Sequence, residues 1–544
     1  MSQDWYKDAV FYEVFVRAFG DSNGDGIGDL PGLMSKLDYL QELGVDAVWL
    51  LPIAPSPLRD HGYDVSDYFG VHPDYGTLQD FRALVAEAHR RGLRIVVELI
   101  PNHTSDQHPW FQAARDPHHP EHARYRDWYV WSDTDARYAD ARIIFVDSEP
   151  SNWTFDPVRG AYYWHRFFYH QPDLNYDNPE VQRAMLRIVQ FWIDQGVDGI
   201  RVDAPPYLYE REGTNCENLP ETHAYLKRLR AFVEAYAPGT LLLSEANQWP
   251  EDVRPYFGDG DEFHMNFHFP LMPRIFMALA KADRAPIEAI MARTPALPSI
   301  CQWGTFLRCH DELTLEMVTP DEREFMWNYY APELRMRLNL GIRRRLAPLL
   351  DGDRRKIELA NAILFALPGS PFLYYGDEIG MGDNIWLEDR GGVRTPMQWD
   401  AGSNAGFSTA SPASLYAPLI DDERFGYRRV NVAAQRADAG SLWHTLRRLL
   451  SVRKGQRAFS HGDYEFLETG TSSVLAVLRT CRTETILAVN NLSSQPQPIQ
   501  LDLRRWRSMG VSDLLSDRVF SNVSDAAYAL TLQPYEYAWL RLGP

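Results

Sequence analysis

The chain has 544 residues, more than one hydrophobic core ordinarily holds, so its length points to a large unit with at least one further domain. Its 74 acidic against 55 basic residues leave a net charge of −19, which sets aside nucleic acid and anionic membranes as partners and favours a neutral ligand. Four cysteines, Cys216, Cys301, Cys309 and Cys481, are too few and too irregularly spaced for a disulfide framework or a zinc cluster.

From Met1 to Val16 the chain carries Asp4, Asp8 and Glu13 and lacks the basic flank, apolar run and small-residue cleavage site of a secretory leader. No apolar run is long enough to span a bilayer; the richest, near Leu367, is broken by Pro368, Gly369 and Pro371. The expected location is cytoplasmic, with reduced thiols. Shortly after, DSNGDGIGD places Asp21, Asn23, Asp25 and Asp29 at odd positions with the Ile27 carbonyl free between them. Hard oxygen donors so spaced suit Ca²⁺ in a structural role, the alternative being a plain turn rich in Asp and Gly.

One unit then repeats: an amphipathic helix, a glycine, and a short apolar strand. The first helix is expected from about Leu30, with Leu33, Leu37, Leu40 and Leu43 on one face, stopping at Gly44 before AVWLLP. A second starts at Thr77 with Asp80 three residues on, stops at Gly92 and leads into RIVVELI. A third has Asn178 as cap and Pro179 at its first position, and its Gly196 precedes GIRVD. Strand candidates at 9–16, 47–52, 94–100, 199–203, 241–246, 262–268, 304–311 and 371–376 make eight, which predicts a (β/α)₈ TIM barrel, with an open doubly wound sheet as the alternative. The His-, Pro- and Trp-rich stretch 102–173 is too long for a βα loop and reads as a subdomain inserted after strand 3. From about Ser460 alternating segments such as SSVLAVLR and ETILAVN predict a C-terminal all-β sandwich. The expected domains are thus the barrel (1–101 and 174–457), the insertion (102–173) and the sandwich (458–544).

Asp203, Glu245 and Asp311 each close an apolar strand candidate, so all three converge on the barrel mouth, where such folds place their chemistry. Carboxylates are rarely left there unpaired without a task. Two carboxyls of divergent proton affinity are the equipment for cleaving a glycosidic bond. Arg201, two residues before Asp203 on the same strand face, would keep Asp203 ionised, whereas Glu245 has no basic neighbour in its own segment.

These segments resemble the α-amylase superfamily of glycoside hydrolases: VELIPNHTS at Val97, QPDLNYD at Gln171, GIRVDA at Gly199, LLLSEAN at Leu241 and FLRCHDE at Phe306 stand in that family's order. The resemblance implies Asp203 as nucleophile, Glu245 as acid/base and Asp311 as the carboxylate that grips sugar hydroxyls, with His103, Arg201 and His310 contacting the sugar. It puts Asp60 and Tyr63 in the glucose pocket through RDHGYDVSDY, and Arg394 beside Asp60 through GGVRTPMQWD. Two positions depart from the pattern: Glu98 stands for the usual Asp, a change expected to matter little, and Cys309 stands for the usual Asn.

Longer segments after each of the three carboxylates resemble the branch of that superfamily that interconverts maltose and trehalose. That branch implies a retaining double displacement through a covalent glucosyl-enzyme, with the freed glucose held by Tyr207, Asn247, Glu312 and Glu316 and a minor leak to glucose. It also implies a second Ca²⁺ site from Asn102, Asp173, Glu210 and the carbonyls of Tyr207 and Leu208, no organic cofactor, and a homodimer. The competing readings are a purely hydrolytic α-glucosidase of the oligo-1,6-glucosidase kind and a non-catalytic relative that serves as a binding module.

Overall fold

The structure, a computed structural model, describes residues 4–543; residues 1–3 and 544, at the outer ends of the expected barrel and sandwich, lie outside the described residues. Eight parallel strands close into a barrel: β1 (Phe11–Val14), β2 (Ala47–Leu50), β3 (Arg94–Leu99), β4 (Gly199–Val202), β5 (Leu241–Ser244), β6 (Met265–Phe267), β7 (Gln302–Phe306) and β8 (Ser370–Tyr374). Neighbours in sequence are neighbours in the sheet, and β1 closes the ring against β8 with Phe11 opposite Phe372. The strands are mostly apolar because helices cover one face and the packed barrel core the other, with Glu13, Glu98 and Arg201 the buried charged exceptions.

Local signals act where they stand in the sequence. Thr77 and Asp80 exchange side-chain-to-amide bonds as a capping box, Asn178 caps Pro179–Asp194, and Gly44 takes a left-handed φ of 97° to end Leu37–Leu43. Two expectations need correction. The helix expected from Leu30 to Leu43 is two helices, Leu30–Met34 and Leu37–Leu43, because Ser35 and Lys36 close the first with short-range turn bonds. In addition β7 ends at Phe306, so Asp311 rides on the following loop.

Between β3 and β4 a three-stranded antiparallel sheet (Trp131–Ser132, Ala161–Trp164, Trp153–Asp156) packs its own small core around Trp153, Trp164 and Tyr138. Beyond the barrel, a five-stranded sheet is ordered Asp463–Phe466, Val474–Thr480, Thr485–Asn491, Tyr537–Gly543, Gly510–Asp513, and the pair Gln497–Leu501 and Tyr528–Leu532 lies outside it. The boundary expected at 457/458 falls inside the one-turn helix Arg457–His461. The two regions are sewn together. Arg479 donates to the Ala366 carbonyl at 2.8 Å, Arg284 donates to that of Leu467 at 2.8 Å, and Trp539 of the strand Tyr537–Gly543 packs on Phe459.

Candidate active site

Asp203 and Glu245 are the first residues beyond β4 and β5, and the backbone fixes both: the Asp203 amide donates to the Leu99 carbonyl at 2.9 Å and the Glu245 amide to that of Val202 at 3.1 Å. Arg201, buried on β4, serves three carboxylates. Its Nη1 lies 2.9 Å from Glu98 and 2.6 Å from Asp203, and its Nη2 lies 2.8 Å from Glu245. One guanidinium cannot neutralise three buried carboxylates, so a proton is retained among them. Burial, with Arg201 opposing, lifts Asp203 to about 6; burial and the charge of Asp203 lift Glu245 to about 8 against the same arginine. Glu98 does more than preserve a charge: it also accepts from Trp49 Nε1 at 2.9 Å and the Tyr63 hydroxyl at 3.2 Å, which makes it the anchor that aims Arg201.

Asp311 completes the cluster from its loop. Burial works to raise its pKa, but His310, Arg390 and Arg394 hold it well below the usual carboxylate range. Arg390 Nε and Arg394 Nη2 reach its Oδ1 at 2.8 and 2.9 Å, and His310 Nε2 its Oδ2 at 3.1 Å. The pairing of Arg394 with Asp60 is therefore corrected. The guanidinium goes to the ionised Asp311, while Asp60, raised to about 7 by burial, takes the neutral amide of Gln171 at 2.7 Å. Asp60, Tyr63 and His103 line the same pocket, and His103 is held through Nε2 to the Tyr63 carbonyl at 3.2 Å.

The outer wall of that pocket contains Tyr207, Asn247, Glu312 and Glu316. Arg142, from the insertion, ties it together: 2.5 Å to Glu316, 2.8 Å to Glu217, and a bond donated to the Tyr207 hydroxyl at 3.2 Å. Glu312 accepts from Arg390 at 3.0 Å and from Asn339 at 3.3 Å, and Asn247 donates to Thr314 at 3.3 Å while its Oδ1 stays buried without a partner among the described residues. Arg142, Arg390, Asn339 and Phe145, which stacks on Arg390, escaped the reading of the sequence. Arg390 lies four residues before Arg394 and could have been found; the others sit in irregular segments that carry no periodic signal.

The two expected calcium sites differ in kind. In the early loop every acidic oxygen is engaged locally: Asp21 accepts from the amides of Asn23, Gly24 and Gly26, Asp25 from that of Ile27, and Asp29 from Gly32 and Ser22. At the second site Asn102 Oδ1, Asp173 Oδ2 and Glu210 Oε1 are all buried with no hydrogen-bond partner among the described residues. Burial pushes Asp173 and Glu210 well above the carboxylate range, and Asp173 raises Glu210 further. Hard oxygens left bare at one place fit a divalent cation better than they fit solvent-free burial.

The family model described as "Alpha amylase, catalytic domain" matches residues 13–328 and 343–462, and that described as "Maltogenic Amylase, C-terminal domain" matches 464–539. The chain belongs to the α-amylase family. Within it, the chain is 58% identical to the trehalose synthase/amylase TreS of Mycobacterium tuberculosis, over 99% of this chain and 90% of that one. It is 56% identical to the trehalose synthase of Pimelobacter sp., over 99% and 96%. Among solved structures, trehalulose synthase MutB from Pseudomonas mesoacidophila superposes with a TM-score of 0.79 at 28% identity, covering 99% of both chains.

Proposed function

We propose that the chain interconverts maltose and trehalose by moving one glucosyl unit through a covalent intermediate on Asp203. The observation that carries the chemistry is that one guanidinium, that of Arg201, holds both carboxyls, Asp203 at 2.6 Å and Glu245 at 2.8 Å. Inverting enzymes hold their carboxyls about 6.5–9.5 Å apart to admit a water between them, whereas two carboxyls gathered on one guanidinium favour the closer, retaining spacing. Glu245 protonates the bridging oxygen of maltose, Asp203 takes the anomeric carbon, and Asp311 with His310 and Arg394 grips the sugar hydroxyls. Glu245 then removes the proton from the anomeric hydroxyl of the freed glucose, which attacks in turn.

For isomerisation the freed glucose must turn without leaving. The pocket walled by Tyr207, Asn247, Glu312 and Glu316, and braced by Arg142 from the insertion and Asn339 from the barrel side, supports that reading over simple hydrolysis. The relatives named trehalose synthase support the same substrates. Calcium belongs to the proposal as a structural ion, held by Asn102, Asp173 and Glu210 and secondarily by the early loop; four free thiols favour a reducing, cytoplasmic setting. Incubation with maltose followed by product chromatography tests the reading: trehalose with a minor glucose peak is expected, and glucose alone would overturn it. Asp203→Asn should lose about 10⁴-fold or more of the turnover.

A further inference from the structure

Below the sugar pocket a small cavity at the barrel centre is bounded by Glu13, Glu245, Cys309 and His310 among aromatic rings. No step above uses Glu13, yet it is a carboxylate on β1 with 1% exposure. A carboxylate at that depth persists only when paired. Its partner is His310: Glu13 Oε1 accepts from the His310 backbone amide at 3.1 Å and makes a short contact with ring Nδ1. The opposite ring nitrogen, Nε2, lies 2.7 Å from the Tyr63 hydroxyl and 3.1 Å from Asp311. Tyr63 stacks flat on the ring and Trp49 meets it edge-on, so the plane of the imidazole is fixed as well.

Both ring nitrogens thus face oxygens, and a carboxylate stands at each end, an arrangement made for an imidazolium that donates from both sides. We propose that Glu13 is a positioning residue for glucosyl transfer: by gripping His310 at Nδ1 and at its amide, it keeps that ring charged and its Nε2–H aimed at the sugar-side face of the site. This rests on the reading of Asp203 and Glu245 as glucosyl-transfer groups. The other titratable groups facing the ring are Tyr63, Glu98 from β3, Asp311 and Cys309 beside it, and Arg201 and Glu245 across the cavity, while Arg394 takes the His310 carbonyl. Burial would strip the proton from His310, but Asp311 and Glu13 raise it to about 9. A charged His310 in turn helps keep Asp311 ionised.

The test is the pH profile of kcat/KM for para-nitrophenyl α-glucoside in wild type, Glu13→Gln and Glu13→Asp. Nitrophenolate departs without needing the proton of Glu245, so the alkaline limb with this substrate reports His310. Glu13→Gln keeps the shape and removes the charge; its alkaline limb should move down by about one unit or more, about tenfold in rate on that side. Glu13→Asp, which restores the charge, should return the limb toward its wild-type position even if kcat falls. A limb unmoved in Glu13→Gln, in protein that melts like wild type, overturns the proposal, as does a limb displaced equally in both variants. Should Glu13→Gln not fold, imidazole-nitrogen NMR of the wild type decides, with His310 assigned by its loss in His310→Asn: a ring that deprotonates near neutral pH refutes the assignment. A wild type that releases nitrophenol from this substrate but makes no trehalose from maltose refutes the isomerase reading and leaves this one standing.

Discussion

Around Arg201 a single positive charge is shared among Glu98, Asp203 and Glu245, and that shortage divides their roles. Asp203 attacks only when ionised, so kcat/KM on maltose should rise with pH through about 6; Glu245 donates only when protonated, so it should fall again through about 8. A pH–rate profile with a single limb would remove the division of labour. Asp203 and Glu245 were legible in the sequence because an acidic residue directly after an apolar strand is conspicuous. The reach of Arg201 to Glu245 was not legible, since it crosses between strands whose register only the closed barrel defines. The misplaced partner of Arg394 has the same origin: a motif names the residues of a pocket, but the ionisation of Asp311 and Asp60 decides which of them an arginine seeks.

At the scale of elements, residues 329–342 fall outside the match to the family's catalytic-domain model, and the last six of them, 337–342, form a hairpin at the pocket. Its strands Arg337–Leu338 and Gly341–Ile342 are joined by Asn339 and Leu340, and Asn339, with φ of 48°, is one of the few side chains that suits such a turn. That tip is latched to the insertion: the Asn339 amide donates to Asp147 at 2.7 Å while its side chain donates to Glu312. Asn339→Gly keeps the left-handed turn and its amide but loses the side-chain bond to Glu312, worth about 0.5–1.5 kcal/mol, so the ratio of glucose to trehalose should rise about two- to tenfold with little change in maltose consumption. Chromatographic product ratios measure this, and an unchanged ratio would show that the latch plays no part in retaining glucose. Helix caps and strand cores were readable here because each acts over three or four residues. The hairpin was not, because two-residue strands in a polar segment carry no alternation to detect.

For the whole molecule, the order of the barrel was recoverable from the repeating helix–glycine–strand unit, whereas the way its parts are bound together was not. Asn102 follows β3, Asp173 ends the insertion and Glu210 follows β4, so a cation held by all three would tie the insertion to the barrel. Removing calcium with a chelator should lower the melting temperature, and Glu210→Ala should abolish most of that sensitivity; ligand at 100 times its dissociation constant stabilises by about 2.7 kcal/mol. Equal melting with and without chelator would dismiss the ion. At the far end, the strand Tyr537–Gly543 lies between Thr485–Asn491 and Gly510–Asp513, not at an edge, and its Trp539 packs on Phe459 beside the barrel. During synthesis, therefore, that sheet cannot be completed until residues 537–543 have left the ribosome. The barrel must wait with one flank uncovered, and it is in that interval that a nascent chain is most open to chaperones.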